Sequence, residues 1–342
     1  MEIRFAGSQV GLRSGAQPVS IMVFSNFMMQ ALQNQTVGQE YAVGAVTRAI
    51  TLAYAGLRHG KVLGVLLFIG PAGSGKTHMC RTLARLLTGG EHSALFINCK
   101  QPDQSTDTVA SFEDLLNTAR NRSVRGAGDF NLIAFEEVDK ADEAFRDDLA
   151  LAIDCGVISL PGRAFPLGNS FVILICDLSR KKADQLVGRT IGFFLDGESA
   201  GEMSRRQAVA LEEVDSRLGP RLVSRIDEIV VFDRLNQQNI ITLLERQLSE
   251  IERYLAGSCI GFIIEQDAKT FLLKEGLDDL NYGARQIIRV VRNYLEFPIA
   301  DLMLSRSLVP GTTVTVKHEA NRSFLNFEIM VPCIVGSSVA GY

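Results

Sequence analysis

Eight residues between an apolar run and a helical pattern carry the most specific chemistry in this sequence. They read Gly70-Pro71-Ala72-Gly73-Ser74-Gly75-Lys76-Thr77: a glycine, four residues, then Gly-Lys-Thr. Glycines let successive backbone N–H groups fold around an anion without Cβ clashes, and a helix starting at Lys76 aims its N-terminal dipole at the same charge. A lysine at that position reaches the β- and γ-phosphates of a nucleotide, and the hydroxyl beside it ligates Mg2+. A second cluster lies downstream. The apolar run Leu132-Ile133-Ala134-Phe135 ends in the acids Glu136, Glu137, Asp139 and Asp142. Phosphoryl transfer to water needs one acid at a strand end to hold the Mg2+ shell and a second group to orient the water. Glu136 stands where the first is expected and Glu137 where the second is.

The elements around these residues must position them. Val62 to Ile69 is a short run of β-branched, aliphatic and aromatic residues, which reads as a buried strand. After Lys76, the apolar residues Met79, Leu83, Leu86 and Leu87 recur at helical spacing up to Gly89-Gly90. Further strands are expected at 94–98, 132–135, 171–175 and 228–232, with helical segments between them. Strands alternating with helices predict an α/β fold with a doubly wound, parallel, five-stranded sheet, and phosphate binding at the carboxyl end of its first strand. Residues 1–34 read as an N-terminal extension whose apolar patch, Ile21 to Met29, suits a helix packed on the body. Residues 35–235 are expected to form the large nucleotide-binding domain. Residues 236–331 should form a smaller helical domain carrying a short β-hairpin, at 312–318 and 323–331, and 332–342 a glycine- and serine-rich tail.

These segments resemble a known family. TVGQEYAVGAVTRAITLAYAGL (36–57) and FEEVDKADEAFRDDLALAIDCGVI (135–158) are similar to the AAA-plus ATPase module of the Clp unfoldases, the second module of ClpA and ClpB in particular. PGRAFPLGNSFVILICDLS (161–179) resembles the family's hairpin and fourth strand, SRLGPRLVSRIDEIVVFDRL (216–235) its arginine-finger segment, and NYGARQIIRVVRNYLEFPIADLML (281–304) its second sensor helix. The resemblance implies a AAA-plus phosphate-loop fold and ATP hydrolysis with Mg2+. Residue by residue, it implies that Val37, Gly38 and Gln39 line the adenine pocket and that Gly70 to Thr77 hold the phosphates. Thr77 and Glu136 would hold Mg2+, and Glu137 would be the catalytic glutamate. Asp177 would be the first sensor, Arg225 an arginine finger acting on a neighbouring subunit, and Arg285 the second sensor. An arginine acting in trans implies a homo-oligomer, by family precedent a hexameric ring, that remodels or gates a protein partner.

Three departures bear on that transfer. Glu136 stands where the family has aspartate, which keeps the charge and adds a methylene. Asp177 stands where the family usually has asparagine; an ionised aspartate only accepts hydrogen bonds and repels a phosphate, so hydrolysis is expected to be slow or gated by a partner. Residues 99–131 carry no aromatic pore-loop motif. Their two aromatics are Phe112 and Phe130, and Phe112 falls in a helical pattern with Leu115 and Leu116. The tripeptide Ile191-Gly192-Phe193 lies where Clp unfoldases dock a peptidase, a weak signal that a buried strand start also explains. Arg120, Arg122 and Arg125 keep open a rival reading, a nucleic-acid-directed AAA-plus switch, although no aromatics interleave them to stack bases. An ATP-binding scaffold with little hydrolysis is the other rival.

Bulk properties narrow the remaining classes. The net charge of −4 offers no general attraction to nucleic acid or anionic lipid. No apolar run approaches the ~18 residues of a membrane span. The start Met1-Glu2-Ile3-Arg4 lacks the basic and apolar regions of a secretory leader. The 6 cysteines and 4 histidines are scattered, without a CxxC pair, so neither a zinc site nor a disulfide framework is expected. A cytoplasmic location is the expectation.

Overall fold

The computed structural model describes residues 2–5, 8–11, 18–57, 60–88, 94–99, 132–160, 163–168, 170–178, 212, 214–277, 283–319 and 322–331. The chain forms two compact units, residues 1–234 and 235–342.

The first unit is built on unbroken apolar strands. After the hairpin β1 (Glu2–Phe5) and β2 (Ser8–Gly11) come helices α1 (Pro18–Gln35) and α2 (Glu40–Tyr54), strand β3 (Gly64–Gly70), helix α3 (Lys76–Thr88), and strands β4 (Ala94–Asn98) and β5 (Leu132–Glu136). A helix at Glu143–Cys155 precedes the antiparallel hairpin β6 (Val157–Leu160) and β7 (Arg163–Pro166), and β8 (Phe171–Asp177) and β9 (Glu228–Val231) follow. The sheet order is β4-β5-β8-β3-β9, all parallel, as the alternation of strands and helices predicts. Every residue of β3 is buried. A parallel sheet is covered on both faces, which is why its central strand can be apolar without alternation.

Side chains divide along β3 with a period of two. Val65, Leu67 and Ile69 join a core with Phe145, Leu149 and Ile153 of the helix Glu143–Cys155. Leu66 and Phe68 point to the other face and join Ile50 of α2, Leu83 of α3 and the apolar edge of α1. That edge is Phe24, Met28 and Leu32, spaced four residues apart and all buried. Phe24 stacks on Tyr54 with ring centroids 4.0 Å apart. Residues 21–29 therefore include part of the large core, while Met22, Val23 and Phe27 of the same helix stay exposed.

The second unit is mostly helical. Its long helix, Gln237–Gly257, starts in a capping box in which the Asn236 side chain accepts from the Asn239 N–H and the Asn239 side chain accepts in return. Helices Gln266–Leu277 and Ala284–Val291 follow. The latter runs through a π turn, Arg292–Glu296, into the helix Phe297–Leu304. Pro298 lies just past that turn and cannot donate a backbone hydrogen bond, a local reason for the ladder to shift register. The expected hairpin is present as β11 (Thr313–Lys317) and β12 (Asn326–Met330). A third strand, β10 (Gly261–Ile264), pairs parallel to β11 and completes a three-stranded sheet. Its short Gly-Phe-Ile-Ile run sits between two long helical patterns and has no periodicity of its own.

Candidate functional site

Three adjacent strands end together. In the order β5-β8-β3, the chain leaves the sheet at Glu136, Asp177 and Gly70. The registers enforce this, with Gly70 opposite Asp177 and Glu136 opposite Ile175. The loop 71–75 then turns from β3 into α3. A Cβ on Gly70 would lie 2.6 Å from the Phe232 carbonyl oxygen, so the segment leaving β9 leaves room for hydrogen only. Gly75 answers a different need. Its φ is +103°, and a Cβ there would meet nothing within 4 Å, so the loop is open on that side.

Charged and polar groups converge over these strand ends. Lys76 Nζ donates to the carbonyls of Gly70 (2.8 Å) and Pro71 (2.7 Å) and pairs with Asp177 Oδ1 at 2.8 Å. Thr77 Oγ1 donates to Glu136 Oε1 at 2.8 Å. Glu137 has φ 55° and ψ 37°, the left-handed region, which costs a non-glycine residue on the order of 1–3 kcal/mol. Its side chain pairs with Lys140, and that hydrogen bond holds the Lys140 ammonium above its ordinary value. Sequence reasoning thus placed Lys76, Thr77, Glu136, Glu137 and Asp177 on separate segments, and the fold gathers them.

A second tier lies behind them. The Asp139 side chain is 8% exposed, with Oδ2 3.4 Å from Arg217 Nη1. Burial raises its carboxyl above the usual range, and its Oδ1 is buried without a hydrogen-bond partner. Arg217 Nη1 also donates to the Asp177 carbonyl at 3.1 Å. Burial likewise pushes up the thiols of Cys80, Cys99 and Cys176, and the Glu136 charge adds to the effect on Cys80 and Cys99.

Gln39 ties the loop to the chain before α2. Its buried amide donates to the carbonyls of Ser74 (3.1 Å) and Asp233 (2.9 Å) and accepts from the Asp233 N–H at 2.9 Å. Gly38 beside it has φ 65°, and Val37 precedes it. Arg225 lies elsewhere. Its guanidinium grips Asp154 on the helix Glu143–Cys155, with Nε 2.8 Å from Oδ1 and Nη2 on Oδ2. That grip lowers the Asp154 carboxyl. Arg221, one turn earlier, pairs with Asp147 at 2.9 Å. Arg285 belongs to the second unit, exposed in the first turn of the helix Ala284–Val291. Ile191-Gly192-Phe193, Arg120, Arg122, Arg125, Phe112 and Phe130 lie outside the described residues.

The donor set suits a nucleotide and Mg2+. The Ser74 Oγ inside the loop is buried without a partner, Gly75 faces open space, and Lys76 supplies the cation. The Thr77 hydroxyl and Glu136 carboxylate already stand side by side. Mg2+ keeps several waters and takes one or two carboxylates plus phosphate oxygens. It needs no cluster of three acids, and no group of three or more His, Cys, Asp or Glu positioned to hold a metal exists among the described residues.

Sequence reasoning missed Arg217, Lys140 and Asp154. Arginines at 217, 221 and 225 recur every four residues, which was the one available signal. Their carboxylate partners, Asp139, Asp147 and Asp154, lie some 70 positions or more upstream and were not readable from it.

Comparison with known proteins adds independent likenesses. Residues 235–316 match the family described as the C-terminal, D2-small domain, of ClpB protein. The chain is 28% identical over 322 residues to the chaperone protein ClpD, chloroplastic, of Arabidopsis thaliana, covering 89% of this chain and 33% of that protein. It is 26% identical over 308 residues to the chaperone protein ClpB of Pseudomonas putida, covering 86% and 34%. The chain thus spans about a third of the length of the curated relatives it matches. Among solved structures, the S. cerevisiae Hsp104-ADP complex is similar in fold, with a TM-score of 0.69, 23% identity, and coverage of 91% of this chain and 53% of that one. A closed-state cryo-EM reconstruction of Hsp104:ATPyS and FITC casein has a TM-score of 0.67, 24% identity, and coverage of 92% and 51%.

Proposed function

We propose that this chain, which resembles the second ATPase module of the Clp-family AAA-plus proteins, binds Mg–ATP between subunits of an oligomeric ring. Hydrolysis, slow or gated, would remodel or gate a protein partner. The observation that carries the reading is the convergence of Lys76, the Thr77–Glu136 pair, Glu137 and Asp177 over the carboxyl ends of β3, β5 and β8. The relatives ClpD and ClpB are named as chaperone proteins, which supports a protein rather than a nucleic acid as the object of the work.

In this reading the backbone of Gly70 to Thr77 cradles the phosphates, and Lys76 neutralises their charge. Thr77 and Glu136 would hold Mg2+, which would supply charge stabilisation to the phosphoryl group in transfer. Glu137 orients the attacking water and takes its proton. Val37, Gly38 and Gln39 border the base. Arg225 completes the site of a neighbouring subunit, and Arg285 takes the second-sensor role that the resemblance implies. A cytoplasmic setting is consistent with thiols such as Cys80, Cys99 and Cys176, which are free and buried. No helix among the described residues is long and apolar enough to cross a membrane.

The test is size in solution, with and without ATP, with phosphate release recorded on the same sample. ATP-dependent assembly with turnover is expected. Lys76→Ala should lower ATP affinity tenfold or more, since it removes a charge-assisted contact of ~1.5–3 kcal/mol. Unchanged ATP affinity in that variant would sink the reading.

A further inference from the structure

Lys76 already has a counter-ion inside its own subunit. An ammonium carries three N–H donors. The oxygens that meet this one include the Gly70 carbonyl at 2.8 Å, the Pro71 carbonyl at 2.7 Å and Asp177 Oδ1 at 2.8 Å. The lysine is 6% exposed and the aspartate 39% exposed, so the pair sits at the lip of the site rather than in open water.

The contact is built into the sheet. Strands β3 and β8 run parallel with Gly70 opposite Asp177, and the Leu178 N–H donates to the Gly70 carbonyl at 3.0 Å. The Asp177 carbonyl is fixed in turn by Arg217. The two backbone carbonyls cannot leave Lys76 without opening the loop. The carboxylate can leave by rotating about its side-chain bonds. It is therefore the group that an incoming phosphate must push aside or sit beside.

The phosphates of a nucleotide differ in how far they intrude on this pair. In the nucleotide reading above, the loop's backbone N–H groups and the helix N-terminus would cradle the inner phosphates, and the terminal phosphate of a triphosphate would lie nearest the acids at the ends of β5 and β8. Those ends carry Glu136, Glu137 and Asp177. A carboxylate in contact with Lys76 weakens the attraction that a third phosphate would feel and adds a repulsion of its own.

We propose that Asp177 sets the nucleotide preference of this site. As the internal counter-ion of Lys76, it competes with every phosphate that the lysine reaches, and so opposes the two outer phosphates of a triphosphate more than the single outer phosphate of a diphosphate. The resting site is biased toward the diphosphate, and triphosphate loading is limited by breaking the Lys76–Asp177 pair. This inference rests on the nucleotide reading above and adds a selectivity that the reading does not require.

Calorimetric titration of the full chain with Mg–ADP and with a non-hydrolysable Mg–ATP analogue tests it. The wild type should bind the diphosphate more tightly. In Asp177→Asn and Asp177→Ala the ratio should move toward the triphosphate by about tenfold or more. Both variants are included because asparagine also adds a donor. A shift in Asp177→Asn alone would assign the effect to that donor and overturn the counter-ion argument. An unmoved ratio in variants that melt like the wild type would overturn it as well. Failure of either nucleotide to bind the wild type, or equal binding by Lys76→Ala, would instead overturn the nucleotide reading and this inference with it.

Discussion

Thr77 Oγ1 and Glu136 Oε1 lie 2.8 Å apart, although they come from α3 and from the end of β5. The extra methylene of glutamate does not carry the carboxylate away from the hydroxyl. The two oxygens sit side by side, as a shared Mg2+ shell would need. Glu136→Gln should therefore reduce nucleotide affinity in the presence of Mg2+ by about tenfold, the scale of one lost charged contact, and change it little when Mg2+ is chelated. Equal losses with and without the metal would mean that Glu136 serves the loop and not the ion.

Glu137 is held in a left-handed backbone conformation and paired with Lys140. Glu137→Gln should leave nucleotide binding intact and slow single-turnover hydrolysis by ~10²–10⁴, the usual contribution of a positioned base. Lys140→Ala frees the carboxylate and should leave turnover equal or faster. A Lys140→Ala enzyme slowed as much as Glu137→Gln would show that the lysine assists the glutamate rather than restraining it.

Arg225 is held by Asp154 of the same chain. The Asp154 carboxyl is lowered by this grip, so its contribution is present above the unfolded value and is lost only as pH falls through the lower folded value. The latch thus stays closed across the neutral range, and its opening must come from a competing anion. Half-exposed pairs contribute ~1 kcal/mol or less to stability. Asp154→Asn should accordingly leave the melting curve nearly unmoved at neutral pH and raise turnover in assembled protein, while Arg225→Ala should lower turnover by ~10³-fold with binding retained. Identical rates for Arg225→Ala and wild type at every protein concentration would exclude a role in trans.

Met28 is fully buried between α1 and the large core. Met28→Ala should destabilise the first unit by ~2–5 kcal/mol through lost burial and the cavity left behind. Met22→Ala, at a residue 69% exposed on the same helix, should change stability by less than ~0.5 kcal/mol. Chemical denaturation followed by circular dichroism separates the two, and equal effects would mean that α1 is not anchored by this face.

What the sequence determined by itself was everything encoded over short distances. The strand, loop and helix around Gly70 to Thr77 lie in one continuous segment, and their glycine spacing and apolar periodicity need no tertiary information. The alternation of strands with helices also indicated a parallel, doubly wound sheet. The tertiary structure decided which charges meet. Whether Asp177 reaches Lys76 depends on the register of β8 against β3. Whether Arg225 is sequestered depends on how its segment packs on the helix Glu143–Cys155. β10 likewise becomes a strand only because β11, far along the chain, offers it a parallel edge. Local patterns follow from backbone geometry and the burial of apolar side chains, which are set by neighbours in the chain. Ion pairs and strand registers are set by contacts between distant segments, so they exist only once the fold has brought those segments together.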